Sequence, residues 1–181
     1  MTESIASQDP GIQSGRIGLN ITPASQEQLG LVLEILEEAA HWTTSHGLNG
    51  WQPGSFSHER IIRQIGHGEV FLAWLSSEPI GTITLQGNDI EFWGDGPETA
   101  EYVHKLAVKR KFAGRGFGVE MLMWAESHAI IARKDHLRLN CMAEDTGLRR
   151  YYERLGFEQR GEIIEPRGRA ALYEKKLNRS D

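Results

Sequence analysis

The sequence predicts one α/β domain of mixed α+β type, a central mixed β-sheet of about seven strands with helices on both faces. Three observations carry that prediction. Strand-like and helix-like stretches follow the order strand, two helices, three strands, helix, strand, helix, two strands. In the middle, the apolar run YVHKLAV (residues 102–108) passes straight into a basic, glycine-rich turn, KRKFAGRGFG, and then into a helix. An apolar content of 39% over 181 residues supports one well-packed core and is too little for two domains of ordinary size.

Residues 1–15 are rich in Ser, Gln and Gly without periodicity and read as a flexible tail, leaving residues 16–181 as the domain. Residues 17–21 alternate as a first strand. Thr22 and Pro23 offer an N-cap and a first helical position, after which Leu29, Val32, Leu33, Leu36 and Ala40 recur at helical spacing. Gly47, Gly50, Pro53 and Gly54 end that pattern, and a loop carrying Trp42, Trp51 and Phe56 leads to a short helix over residues 58–65. Residues 70–75 and 80–85 read as an antiparallel pair around a Ser-Glu-Pro turn containing Pro79. The acidic and aromatic stretch 87–99, with Asp89, Glu91, Trp93 and Asp95, is a long loop of the kind that often serves function.

After the central stretch, Val119, Leu122, Met123 and Ile130 stripe a helix running from Gly116 to Lys134. Residues 137–142 form the next strand, parallel to the one before that helix through a right-handed crossover. Asp145 or Thr146 caps a helix through Arg154, and Gly156 suits a left-handed C-cap. Two strands, residues 157–164 and 171–177, close the chain around a turn at 166–168.

The net charge of −5 argues against a general nucleic-acid binder, yet the sum hides an asymmetry. Residues 1–100 hold 3 Lys/Arg against 13 Asp/Glu, and residues 101–181 hold 17 against 12, giving −10 and +5. Such a field suits a polyanionic cofactor on the second part and a cationic substrate on the first. No apolar run is long enough to span a membrane, and the N-terminus lacks the basic start and apolar core of a signal peptide, so a cytoplasmic protein is expected. The single cysteine, Cys141, excludes an internal disulfide and a cysteine-cluster metal site. His41, His46, His58 and His67 have no metal-ligand spacing, so no metal is expected.

A strand that enters a helix through glycines leaves first-turn N–H groups without partners at the positive end of the dipole. Lys105, Lys109, Arg110, Lys111 and Arg115 crowd this segment with no acid among them, which suggests a phosphate or diphosphate ligand. The turn is no dinucleotide fingerprint, because Gly114, Gly116 and Gly118 alternate, and no Lys-Ser or Lys-Thr follows to make a nucleotide-hydrolase loop.

The run LAVKRKFAGRGFG together with the later YYERLGF resembles the central motifs of the GCN5-related N-acetyltransferase (GNAT) superfamily, with matching element order over residues 17–177. That resemblance implies a splayed sheet and an acetyl-CoA-dependent transfer of acetyl directly to a primary amine of a small molecule or peptide terminus. It implies that the backbone around Leu106, Ala107 and Val108 bonds the pantetheine arm. The turn of Ala113, Gly114, Arg115, Gly116, Phe117 and Gly118 would hold the diphosphate through N–H groups. Tyr152 matches the tyrosine that protonates the departing CoA thiolate, a task suited to a phenol that stays protonated at neutral pH. Ala113 stands where a polar residue is usual, and Asp145 replaces a common asparagine and is retained as a cofactor contact. Homodimers are common in the superfamily, and a non-catalytic acyl-CoA sensor on the same fold is the alternative.

The base that deprotonates the attacking ammonium is His104, Glu101 or an ordered water. Strand alternation puts Tyr102, His104, Leu106 and Val108 on one side and Glu101, Val103, Lys105 and Ala107 on the other. His104 is favoured because histidine titrates near neutral pH. Cys141 lies mid-strand without an evident histidine partner, which disfavours an acyl-enzyme route. The loops after Trp42 and before Glu101 set the acceptor, which the acidic first half suggests is cationic.

Overall fold

Seven strands form one sheet in the order β1-β2-β3-β4-β5-β7-β6 in this computed structural model, which describes residues 18–95 and 99–178. The expected tail over residues 1–15 lies outside the described residues. The strands are β1 (Leu19–Pro23), β2 (Val70–Leu75), β3 (Glu78–Gln86), β4 (Ala100–Val108), β5 (His136–Met142), β6 (Glu158–Glu165) and β7 (Gly168–Lys176). The helices are α1 (Leu29–Ser45), α2 (His58–Gly66), a short α3 (Ile90–Trp93), α4 (Phe117–Ile131) and α5 (Thr146–Arg154). Only the β4–β5 pair is parallel, as the crossover through α4 requires.

Two hydrophobic layers sandwich the sheet. Val70 and Leu72 of β2 face Val32, Ile35 and Leu36 of α1 and Ile61 of α2, while Phe71 and Ala73 face Met121, Trp124 and Ala125 of α4. Period-two alternation therefore explains why β2 is apolar on both faces. The larger of these side chains, Val, Leu, Ile, Phe and Met, each contribute about 1.5–3 kcal/mol when fully buried.

Three local expectations are corrected. Thr22 and Pro23 belong to β1, where Pro23 pairs with Phe71, and do not start a helix. The start is supplied instead by Ser25, whose N–H donates to Gln28 Oε1 at 2.9 Å while Gln28 N–H donates to the Ser25 carbonyl at 3.0 Å. Trp42 lies within α1 and not in the following loop. Pro79 lies inside β3, beside a register shift between Ala73 and Trp74 of β2, where a missing ladder donor is tolerated.

Candidate active site

Beyond Tyr102, the last β4 residue paired with β5, the two strands part and a cleft of about 560 Å³ opens between them. Its floor is made by residues 103–108 of β4 and 139–142 of β5. One wall comes from α1, the loop after it and the start of α2, and the other from the α3 segment, α5 and the β6–β7 turn. Asn49 Nδ2 donates to the Arg167 carbonyl at 3.0 Å and ties the α1–α2 loop to that turn. With no β5 partner, this edge of β4 presents backbone groups that an extended ligand can pair with.

A β-bulge in β4 overturns the expected alternation. Thr82 pairs with Ala107 and Thr84 with His104, so Lys105 and Leu106 together stand opposite Ile83. Lys105 takes up the extra residue at φ +48°, a left-handed conformation uncommon for a side-chain-bearing residue. The faces exchange past this point. Val103, Leu106 and Val108 pack with the α4 layer, whereas Ala107 packs with α1 and α2, and the Lys105 side chain reaches Gln64 of α2. Leu106 and Val108 thus do not share a face with His104.

His104 lines the cleft with its Nε2 3.3 Å from Asp89 Oδ2. Both atoms are buried and neither makes a hydrogen bond of good geometry, so the contact is an ion-pair approach and not a formed hydrogen bond. Glu101 lies on the opposite face, outside the cleft, with its Oε2 3.3 Å from His128 Nδ1 of α4. Lys105 Nζ donates to Gln64 Oε1 at 3.1 Å, and burial, followed by repulsion from Arg60, brings its ammonium down from 10.5 to about 8.

Tyr152 also lines the cleft, held by ring contacts to Tyr151, Phe157 and Tyr173 at 5.4, 5.8 and 6.2 Å. Burial pushes its phenol well above the ordinary tyrosine value. Cys141, on the cleft floor, is pushed up to about 12, chiefly by burial and next by Asp145. Asp145 reaches the cleft too, but its carboxylate caps α5 by accepting from Leu148 N–H at 2.8 Å.

The turn at Ala113–Gly118 does not line the cleft; it forms the entry to α4. Gly114 and Gly116 adopt φ of +74° and +89°, conformations that favour glycine, and no side chain caps the helix. The Ala113 N–H is spent on the Arg110 carbonyl, and the Phe117 side chain is buried in the core. Gly118 adjoins α5, where a Cβ would meet the Tyr151 hydroxyl at 3.0 Å.

Most of the basic residues expected to hold phosphate are engaged elsewhere. Lys109 bonds Glu34 at 2.7 Å, Lys111 pairs with Glu78, and the Arg110 guanidinium lies 3.9 Å from the centre of the Trp42 ring. Arg115 rests near the Phe112 and Phe117 rings, with no carboxylate partner among the described residues. Acids of the first half thus neutralise bases of the second, which is where much of the charge asymmetry goes.

Sequence reading singled out the loop that carries Asp89 without assigning the residue a role, and it missed Arg60. Arg60 and Gln64 stand four apart on α2 and so share a helix side, but nothing in one dimension brings them to Lys105.

A model of the acetyltransferase (GNAT) family matches residues 32–157. The uncharacterized N-acetyltransferase YesJ of Bacillus subtilis is 34% identical over 152 residues, covering 80% of this chain and 84% of its own. A GNAT-family acetyltransferase structure from Listeria monocytogenes superposes with a TM-score of 0.77 at 24% identity, over 93% of this chain and 100% of that one. The structure of yncA from Salmonella typhimurium, solved with acetyl-CoA, gives a TM-score of 0.69 at 14% identity, over 90% of this chain and 96% of its own. The family match and the Bacillus relative, on a sheet that superposes on solved GNAT structures, make this chain a member of the acetyltransferase (GNAT) family and an acyltransferase enzyme.

Proposed function

We propose that the chain moves an acetyl group from acetyl-CoA directly to a primary amine of a small molecule or peptide terminus, with residues 16–181 as the catalytic domain. The observation that carries this reading is the parting of β4 from β5 over a cleft lined by both His104 and Tyr152. The residues present fit acetyl-CoA. Backbone groups at Leu106, Ala107 and Val108 lie on the unpaired edge of β4, suited to a pantetheine arm. The uncapped first turn of α4, entered through Gly114 and Gly116, suits a diphosphate, with Arg115 as the cation beside it. When bound, acetyl-CoA supplies an activated thioester carbonyl and a thiolate leaving group.

His104 directs Nε2 at Asp89, which orients the ring and leaves Nδ1 to accept the proton of the acceptor ammonium. Tyr152 stays a neutral phenol throughout the neutral range because burial disfavours its phenolate, and it donates its proton to sulfur as the thiolate departs. Cys141 remains a thiol for the same reason and is a poor nucleophile, which supports transfer without an acyl-enzyme. A cytoplasmic setting accords with a single buried cysteine that needs no oxidising compartment.

Thiol release from acetyl-CoA across a panel of primary amines tests the proposal. Amine-dependent release with intersecting initial-velocity lines, and no acetylated protein by mass spectrometry, is the expected result. Acetyl-CoA binding without release for any amine would instead favour a non-catalytic acyl-CoA-binding module.

A further inference from the structure

Two cations in the cleft have no part in the proton transfers. Lys105 sits half-buried at the β4 bulge, and Arg60, in the first turn of α2, lies close enough for their repulsion to count; both line the cleft. Several of the other charges around them are already matched, while the exposed Glu91 lines the α3 side of the cleft. Glu69 attracts the Lys105 ammonium but is held by Gln86 at 2.9 Å and faces His67 at 3.7 Å. Arg167 closes on Glu165 at 3.3 Å, Arg110 lies over Trp42, and Asp89 faces His104. Arg60 and Lys105 thus face the cleft without a carboxylate partner among the described residues. Gln64, 4% exposed, accepts from Lys105 through its amide oxygen, and its Nε2 is buried with no partner. Arg60 is exposed and Lys105 half-buried, and an anion between the two would relieve their mutual repulsion.

The bulge adds a spacing. In a regular strand, consecutive residues point to opposite faces, but here His104 and Lys105 both serve the α1–α2 side of β4. Both side chains therefore reach the cleft from one side of β4, so a single acceptor can present an amine to His104 and an anion to Lys105.

We propose that Arg60 and Lys105 bind a carboxylate of the acceptor, so that the substrate is an amino carboxylate, amino acids among them. The proposal rests on the acetyltransferase reading and specifies its acceptor. The acceptor ammonium faces Asp89 and His104, and its carboxylate meets the guanidinium fork and the lysine ammonium.

The test measures CoA thiol release by the full chain with the common L-amino acids, their carboxamides and 2-aminoethylphosphonate. The best acceptor should carry a free carboxylate, with kcat/KM roughly tenfold or more above its carboxamide. Arg60→Gln, at an exposed helix position, should shrink that preference by raising KM for the acid much more than it lowers kcat, with thermal melting checking the fold. A carboxamide or the phosphonate used as well as the acid, or an Arg60→Gln variant that keeps the acid preference, overturns the proposal. Calorimetry with acetyl-CoA runs alongside. Binding together with turnover of amines lacking a carboxylate overturns this inference alone, whereas no binding overturns the acetyltransferase reading and this inference with it.

Discussion

Lys105→Met should make the protein more stable at neutral pH, and the gain should fade in alkali. The unfolded chain holds this lysine near 10.5, while the folded site brings it down to about 8. Below pH 8 both states are protonated, and the folded state bears the whole cost of the buried charge. Between pH 8 and 10.5 the folded protein releases its proton first, the unfolded chain binds more protons, and stability of the parent protein rises with pH. At about 1.4 kcal/mol per pH unit the cost is at most about 3.5 kcal/mol, and solvent screening of the partly enclosed side chain brings it to about 3 kcal/mol or less. Methionine fills a similar volume, but loss of the 3.1 Å bond strands the Gln64 amide oxygen. That offsets about 1–2 kcal/mol. The net gain at pH 7 is about 1–2 kcal/mol, or roughly 2–8 °C in Tm for a chain of this size. Urea denaturation of parent and variant at pH 7 and pH 10 reads it directly, since other titrating groups cancel in the difference. A variant less stable than the parent at pH 7, or an equal difference at both pH values, would refute the reasoning. The same substitution should raise KM for a carboxylate acceptor, a trade of stability against function.

Tyr152→Phe should lower kcat on the order of 10²–10⁴-fold with little change in acetyl-CoA Kd, and an unchanged kcat removes the phenol from proton transfer. His104→Ala should lower kcat/KM on the order of 10²–10⁴-fold with little change in acetyl-CoA Kd; an unchanged kcat/KM would assign the proton transfer to another group. Gly81→Ala puts a Cβ 2.8 Å from the Ala107 carbonyl and 2.9 Å from Met121 Sδ, so the strand bearing the open edge must shift. The expected cost is about 1–3 kcal/mol, seen as a Tm lower by roughly 2–10 °C, with weaker acetyl-CoA binding; an unaltered melt would contradict the crowding.

Much of the fold was legible because its signals are local. Residues 70–75 were read as β2 to the residue, and the strand–turn–helix at β4 and α4 declared itself through an apolar run ending in glycines. Cap chemistry narrows the α5 cap to Asp145 or Thr146, of which Asp145 serves, and places Gly156 at a left-handed C-cap, where its φ is +86°. The failures are long-range. Pro23 reads as a helix start until its pairing with Phe71 is known. The bulge at Lys105 depends on how β4 registers against Thr82 and Thr84, which no local pattern encodes, and it exchanged the faces on which the site residues were expected. The charge asymmetry was read as two ligand fields, yet Glu34 meets Lys109 and Glu78 meets Lys111 across the fold. The approach of Arg60 to Lys105 depends on how α2 packs against the β4 bulge, which no local pattern encodes.

The central claim is that the parted β4 edge and the uncapped α4 turn receive acetyl-CoA. Calorimetric titration of the full chain with acetyl-CoA tests it most directly. Saturable one-to-one binding in the micromolar range, competed by free CoA, is the predicted result; no heat of binding at high micromolar acetyl-CoA would contradict it.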